Sequence, residues 1–344
     1  MPSFVTTSVA ALLSERPGLQ RVELADRSRA VVLTQLTGPV TVGDDVVVNT
    51  TAVELGLGTG GWHIVHWNLA RAAWSQAGPG HIMKLRYTSL QADVGAAEEQ
   101  SPGQGWPDLE GRPVVVCSLH SQVAIVAAAL RDRQPGARVV YVMTDGGALP
   151  LALSDLVAAL RDAGVLDATV TVGHAFGGDL EAVSVPSALD LAVRVAGADV
   201  VIVGMGPGVV GTGSILGTTA VEVAPIVDAA AALGGQSVVA ARTSGADGRD
   251  RHRGLSHHTT TALRLASRPA MVSHAGGTER FDVPPPHTVV TVPVDPVGPM
   301  LDRFGLDVTT MGRAPADDPL SFLTAAAAGV LAGDLHDARA TVRP

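Results

Sequence analysis

Two rhythms divide the chain. Between residues 19 and 88, apolar and polar positions alternate with period two, interrupted by turn residues, over 19–24, 30–36, 40–49, 62–69 and 81–88. Alternation of this kind marks strands buried on one side, so this part is expected to form a small antiparallel sheet or barrel. Gly-rich residues 56–61 read as a loop, and the polar, Pro- and Gly-bearing stretch 91–112 reads as a linker or lid. Beyond 112 the rhythm changes to short, Val-rich runs at 113–117, 138–143, 168–172, 199–203 and 237–241, with a sixth candidate at 269–273. Ala- and Leu-rich helical stretches stand between or after them, at 122–133, 154–163, 187–196, 218–233, 259–266 and 319–333, while 180–185 suits a hairpin strand. Runs apolar on both faces and followed by helices are what a parallel sheet covered on both sides requires. The expected fold is α/β: a small N-terminal β-barrel-like domain over 1–92, a linker or lid over 93–112, and a Rossmann-like, mostly parallel, doubly wound sheet over 113–344 ending in a C-terminal helix.

Composition narrows the classes. Of 344 residues, 46% are hydrophobic and 17% charged, enough apolar material for a sizeable core. Lys+Arg 24 against Asp+Glu 33 gives a net charge of -9, which opposes the phosphate attraction on which nucleic-acid binders rely. Only Trp62, Trp67 and Trp74 in the barrel segment offer stacking platforms. No run reaches the roughly 18 unbroken apolar residues of a spanning helix, and the apolar patch at residues 9–13 lacks the basic lead of a secretory signal. The single Cys117 excludes an internal disulfide framework and fits a reducing compartment. No nucleic acid, no membrane and a cytoplasmic location are therefore expected. All basic residues but one are Arg, so Lys84 either survives by chance or stands where a compact ammonium is needed.

Candidate chemistry concentrates in the loops that follow the buried runs. In an open parallel sheet, ligands bind beyond the carboxyl ends of the strands, and these loops carry His120, Asp145, His174, Asp179, Asp247, His257 and His258. The loop after 199–203 has Gly at 204, 206, 208, 211, 213 and 217, with Thr212 and Ser214 supplying hydroxyls. It can present N–H groups to an anion through Gly206, Gly208, Gly211, Thr212, Gly213 and Ser214, or simply let strand and helix pack closely. It is neither a Walker A loop nor a complete dinucleotide fingerprint, because Val209 stands where the third Gly belongs. Asp145 with His257 or His258 suits acid–base work, and His174 with Asp179 is a candidate metal pair, although the spacing selects no particular divalent metal. Arg251, His252 and Arg253 suit a phosphate or carboxylate, or a solvated, salt-bridged loop. In the strand expected over 81–88, Lys84 and Arg86 share a face; either Glu98 and Glu99 neutralise them or a ligand anion does. No Gly-x-Ser-x-Gly elbow is present, which sets acyl transfer low.

Several of these strings carry a resemblance. They are Val48-Asn49-Thr50-Thr51-Ala52-Val53-Glu54-Leu55-Gly56-Leu57-Gly58-Thr59-Gly60-Gly61, Gly80-His81-Ile82-Met83-Lys84-Leu85-Arg86-Tyr87-Thr88 and Tyr141-Val142-Met143-Thr144-Asp145-Gly146-Gly147-Ala148-Leu149-Pro150. Ala175-Phe176-Gly177-Gly178-Asp179-Leu180-Glu181 and Arg251-His252-Arg253-Gly254-Leu255-Ser256-His257-His258 complete the set. Together they resemble a bacterial family designated domain of unknown function 3866, over most of the chain. That resemblance implies no reaction, since the family has no assigned activity.

The expectation for function is a cleft at the carboxyl edge that binds, and in an enzyme transforms, a small anionic, phosphorylated metabolite. Lys84, Arg86 and the glycine loop would hold the anion, Arg253 would assist, and Asp145 with His257 or His258 would move protons. The alternative is a non-catalytic metabolite sensor or protein-assembly module, with the C-terminal helix and its small residues 325–328 suited to homodimerisation.

Overall fold

The computed structural model describes residues 2–342, which form two compact units divided after Gly95. In the first, β1 (Phe4–Arg16), β2 (Leu19–Leu24), β3 (Arg29–Leu33), β4 (Asp45–Asn49) and β5 (Trp62–Asn68) close into a barrel of order β1-β2-β3-β5-β4. Alternate positions point inward, so Val9, Val22, Leu24, Ala30, Val32, Val46, Val48 and Val65 fill the interior. One-turn helices α1 (Thr34–Thr37) and α2 (Thr51–Glu54) join the strands. The longest strand, β1, has no counterpart in the sequence reading. Its alternation is hidden because Phe4, Val5, Leu12 and Leu13 are apolar yet exposed.

The strand expected over 81–88 shrinks to β6 (Met83–Lys84), paired with β7 (Ala92–Asp93). Leu85 and Tyr87 take left-handed backbone, φ 52 and 63, and the chain turns there instead of extending. Lys84 is consequently buried while Arg86 is exposed, so the two cations do not line one face of a strand.

The second unit begins with the one-turn helix α3 (Ala97–Gln100) and is built on eight parallel strands. These are β8 (Pro113–Cys117), β9 (Val139–Thr144), β10 (Ala168–Val172), β11 (Leu180–Ala182), β12 (Val200–Met205) and β13 (Gln236–Ala240), then, beyond the short antiparallel pair β14 (Thr243–Ser244) and β15 (Gly254–Leu255), β16 (Met271–Ala275) and β17 (Thr288–Val292). The order across the sheet is β11-β10-β9-β12-β8-β13-β16-β17. Contrary to the hairpin expected near 180–185, β11 pairs parallel to β10, with Val170 opposite Leu180. Gly173 and Gly177, φ 65 and 94, take left-handed backbone in the loop that returns the chain to run parallel to β10.

Helices α4 (His120–Arg133), α5 (Asp155–Asp162), α9 (Val297–Arg303) and α10 (Pro319–Val342) cover one face; α6 (Val185–Arg194), α7 (Val223–Ala232) and α8 (His257–Leu265) cover the other. The central strands are buried along their whole length, which is why they read as unbroken apolar runs. The small side chains Ala325–Ala328 are fully buried in the core that α10 shares with α4, so their close packing is used inside the chain.

Because β12 inserts between β9 and β8, neighbouring strands send their chains opposite ways. The connection from β8 runs through α4 on one face toward β9, and the connection from β12 runs through α7 on the other face to β13. Such a reversal splays the two loops and opens a crevice at the carboxyl edge. Among the described residues, no helix is long and apolar enough to cross a membrane.

Candidate functional site

The floor of the crevice is set by buried polar groups at the strand ends. Gln122, in the first turns of α4, accepts from the Ser118 and Leu119 backbone N–H groups at 3.0 Å each and donates to the Ala240 carbonyl at 3.0 Å, tying the ends of β8 and β13 together. His120 lies 3.1 Å through Nδ1 from the Met205 carbonyl, which can only accept, so the ring carries its proton there. Its Nε2 then accepts from the Ser154 hydroxyl at 2.7 Å. Burial holds this ring neutral, with its pKa drawn down to about 4. Ser154 is itself buried and caps α5 through the Val157 N–H, so the pair pins two loops.

Beside this floor stands Glu222, at the end of a one-turn 3₁₀ segment, Thr219–Glu222, that leads into α7. The Thr144 hydroxyl lies 2.9 and 3.0 Å from its two carboxylate oxygens. Burial, reinforced by the nearby negative charge of Asp145, lifts its pKa to about 7. Gly146 makes the approach feasible, since a Cβ there would lie 2.5 Å from a Glu222 oxygen. Gly146 and Glu222, together with Thr219, Pro225, Asp228 and Leu265, line a cavity of ≈ 540 Å³.

The glycine loop serves two ends. A Cβ on Gly206 would lie 2.5 Å from the Ala148 carbonyl, and one on Gly147 would lie 2.4 Å from that of Gly206, so these glycines let two loops pack backbone to backbone. Gly208 takes φ 103 in open space. Farther out, Gly211 bridges to Thr218, and the exposed Thr212 and Ser214 hydroxyls bond each other at 3.0 Å on either side of Gly213. Gly211 also faces His258, whose ring lies 3.4 Å from where a Cβ would be.

The loop between β13 and α8 brings His252 beside His257 and His258, the first two residues of α8. Ring centroids are 5.0 Å apart for His252–His257, 4.8 Å for His252–His258 and 4.3 Å for His257–His258. Arg242 Nη1 lies 3.1 Å from His258 Nδ1, and His252 Nδ1 lies 2.7 Å from the Ser256 hydroxyl. Burial, and then the field of Arg242, draws His252 down to about 3 and His258 to about 4, so both rings are neutral. Arg242 is itself lowered to about 10 by burial and by Arg249. Asp247 anchors the loop: Arg249 grips it through Nε at 2.9 Å and Nη2 at 2.8 Å and holds its carboxyl well below the usual range.

The residues singled out from sequence scatter more than the loop argument implies. His257 and His258 come together with Arg242 and with His252, which the sequence placed only as a charge partner. Asp145 is exposed near Glu222 and accepts from the His174 backbone N–H at 3.0 Å. Asp179 accepts from the Thr169 N–H and hydroxyl at 2.8 and 3.0 Å and pairs with Arg161, so it braces β10, while His174 lies in the preceding loop. Arg253 is exposed, its Nε donating to the Asp247 carbonyl at 3.1 Å. Glu98, one expected neutraliser of Lys84 and Arg86, accepts instead from the Val183 N–H and the Ser187 hydroxyl. Glu222 and Arg242 escaped the sequence reading. The available signal was a single acid amid Thr-Ala-Val and Val-Ala-Pro, and an Arg ending a buried run.

No curated protein matches the chain significantly. Residues 29–329 match the profile of the family described as "Protein of unknown function (DUF3866)", and the chain belongs to that family.

Proposed function

We propose that the chain binds and transforms a small anionic, phosphorylated metabolite at the carboxyl edge of the parallel sheet. One observation carries the reading: Glu222, a carboxyl whose pKa is lifted to about 7, lines a cavity together with Gly146 from the turn after β9, and an arginine-rich loop follows β13. A group titrating near 7 both accepts and donates a proton at working pH, which is what general acid–base catalysis requires. Glu222 is the proton-transfer group of this reading, and Asp145 supplies the negative charge that helps keep it protonated.

The same group makes stability depend on pH in a definite direction. Below about 4.5 the carboxyl is protonated in folded and unfolded chains alike. Between there and 7 the unfolded chain ionises while the folded one holds its proton, so stability falls as pH rises, by about 3 kcal/mol in total. Glu222→Gln removes this burden: it is expected to be neutral at pH 4.5, stabilising by up to about 3 kcal/mol at pH 8, and inactive in proton transfer. Urea unfolding of both proteins across that range checks the sign, and equal pH profiles would remove Glu222 from the role.

The non-catalytic sensor has an observation of its own. The glycine loop presents Val210, Ile215 and Leu216 to solvent, 59%, 67% and 63% exposed, as a surface that a bound ligand or a protein partner would cover. Incubating the purified chain with a bound phosphorylated ligand separates the readings: turnover that Glu222→Gln abolishes supports the enzyme, and ligand recovered intact supports the sensor.

A further inference from the structure

We propose that His252, His257, His258 and Arg242 form an oxyanion pocket that takes a phosphate or phosphoryl group through imidazole N–H donors. The inference rests on the reading that this edge binds an anionic metabolite, and it specifies which atoms receive the charge.

It begins with an imbalance. The Nε2 atoms of all three histidines are buried with no hydrogen-bond partner among the described residues. A buried polar atom left unpaired costs about 1–3 kcal/mol, so three together point to a missing ligand. One ring nitrogen from each histidine lies within 4.8 Å of those of the other two, a grouping that taken alone also suits a metal ion.

Proton positions favour the anion. A guanidinium only donates, so the Arg242 contact makes His258 Nδ1 an acceptor and places the proton of the neutral ring on Nε2. In the proposed pocket the Ser256 hydroxyl, which also accepts from the His258 backbone N–H, donates its proton to His252 Nδ1 at 2.7 Å, and the His252 proton then stands on Nε2 as well. A protonated nitrogen has no lone pair for a metal, but it donates to an oxygen.

The field agrees. Arg242, Arg249 and Arg251 surround the rings, and the carboxylate within the group, Asp247, is already held bidentately by Arg249. A divalent cation entering there meets repulsion, and an anion meets attraction. The glycine loop reaches this cluster at Gly211, where a Cβ would sit 3.4 Å from His258 Cε1 and 3.8 Å from Nε2. With the three Nε2 atoms turned toward one another and Arg242 beside them, donors converge from several directions, as the oxygens of a tetrahedral oxyanion require.

The test titrates the full chain with inorganic phosphate and, separately, with glycerol phosphate, reading the histidine rings by long-range ¹H–¹⁵N correlation. Cobalt(II) is added in a parallel arm. The proposal expects Nε2–H tautomers at His252 and His258 in the free chain, their displacement by either phosphate compound, and a weakening of about tenfold or more in His258→Phe and Arg242→Met. His257→Ala, at the most exposed of the three rings, provides the same comparison if the buried variants fail to fold. Phosphate bound equally well by wild type and His257→Ala overturns the pocket while leaving an anion site elsewhere on the edge. Stoichiometric cobalt with tetrahedral absorption and Nδ1–H tautomers overturns it in favour of a metal centre. Failure of both phosphate compounds to bind also overturns it.

Discussion

Asp318→Ala is expected to lower stability by about 3–5 kcal/mol and to abolish ligand binding at the carboxyl edge. Asp318 is completely buried immediately before α10, and its oxygens accept from the Ser244 hydroxyl at 2.5 Å, the Gly245 backbone N–H at 2.9 Å and Arg313 Nε at 3.1 Å. Removing the carboxylate leaves a buried hydroxyl, a backbone N–H and a guanidinium without their acceptor, and breaking one side of a buried charged network costs far more than the network contributes net. Ser244 and Gly245 open the loop that runs through Asp247 to His252, so the loss of order is expected to spread into the histidine pocket. Asp318→Asn keeps an acceptor and is expected to fall between wild type and the alanine variant. Urea unfolding with a ligand-binding assay on the same samples measures both effects, and an alanine variant within about 1 kcal/mol of wild type would show that Asp318 does not anchor the loop.

The second large effect is at Gly329, within α10. By intrinsic propensity, replacing a helical glycine with alanine gains about 1 kcal/mol. Packing predicts the opposite sign, because a Cβ at 329 would lie 2.3 Å from the Val126 carbonyl, 2.9 Å from the Leu130 nitrogen and 3.0 Å from the Ala129 Cβ. Two of these are backbone atoms of α4, whose residues from Gln122 to Leu130 are all buried, so α4 has nowhere to retreat. Gly329→Ala is therefore expected to destabilise despite its propensity, and Gly329→Val to cost about 3 kcal/mol or more, read as a lowered urea midpoint. A gain from the alanine variant would mean that the two helices are not in backbone contact.

Much of the fold was legible because burial on both faces leaves an unmistakable trace. Val114–Val115–Val116 and Val200–Val201–Ile202–Val203 have no polar position to confuse them, and each proved to be a central strand. Where the physics is less one-sided, the sequence was silent. In β1, apolar side chains on the outer face erase the alternation. β17 has exposed or half-buried residues at four of five positions and lacks the run expected of a sheet interior. In α9, seven residues that include Gly298 and Pro299 show no clear helical period.

The site divides along the same line. Clustering on one edge follows from local pattern, so the histidines and glycines after the strands were visible. Which of them meet depends on strand order, and no local pattern announces that β12 enters between β9 and β8. Glu222 lies 78 residues beyond the Thr144 that orders its carboxylate, and Arg242 lies 16 before its histidine. Both owe their chemistry to burial that only the packed structure supplies.

The most direct test of the account maps where a phosphorylated ligand binds. Backbone amide shifts of the ¹⁵N-labelled chain would be followed during titration with inorganic phosphate, glycerol phosphate and a nucleotide. The account predicts saturable shifts confined to the strand-end loops, at residues 204–222 and 242–258, with the barrel unaffected. Saturable shifts confined to the barrel, or none from any of the three ligands, would contradict it.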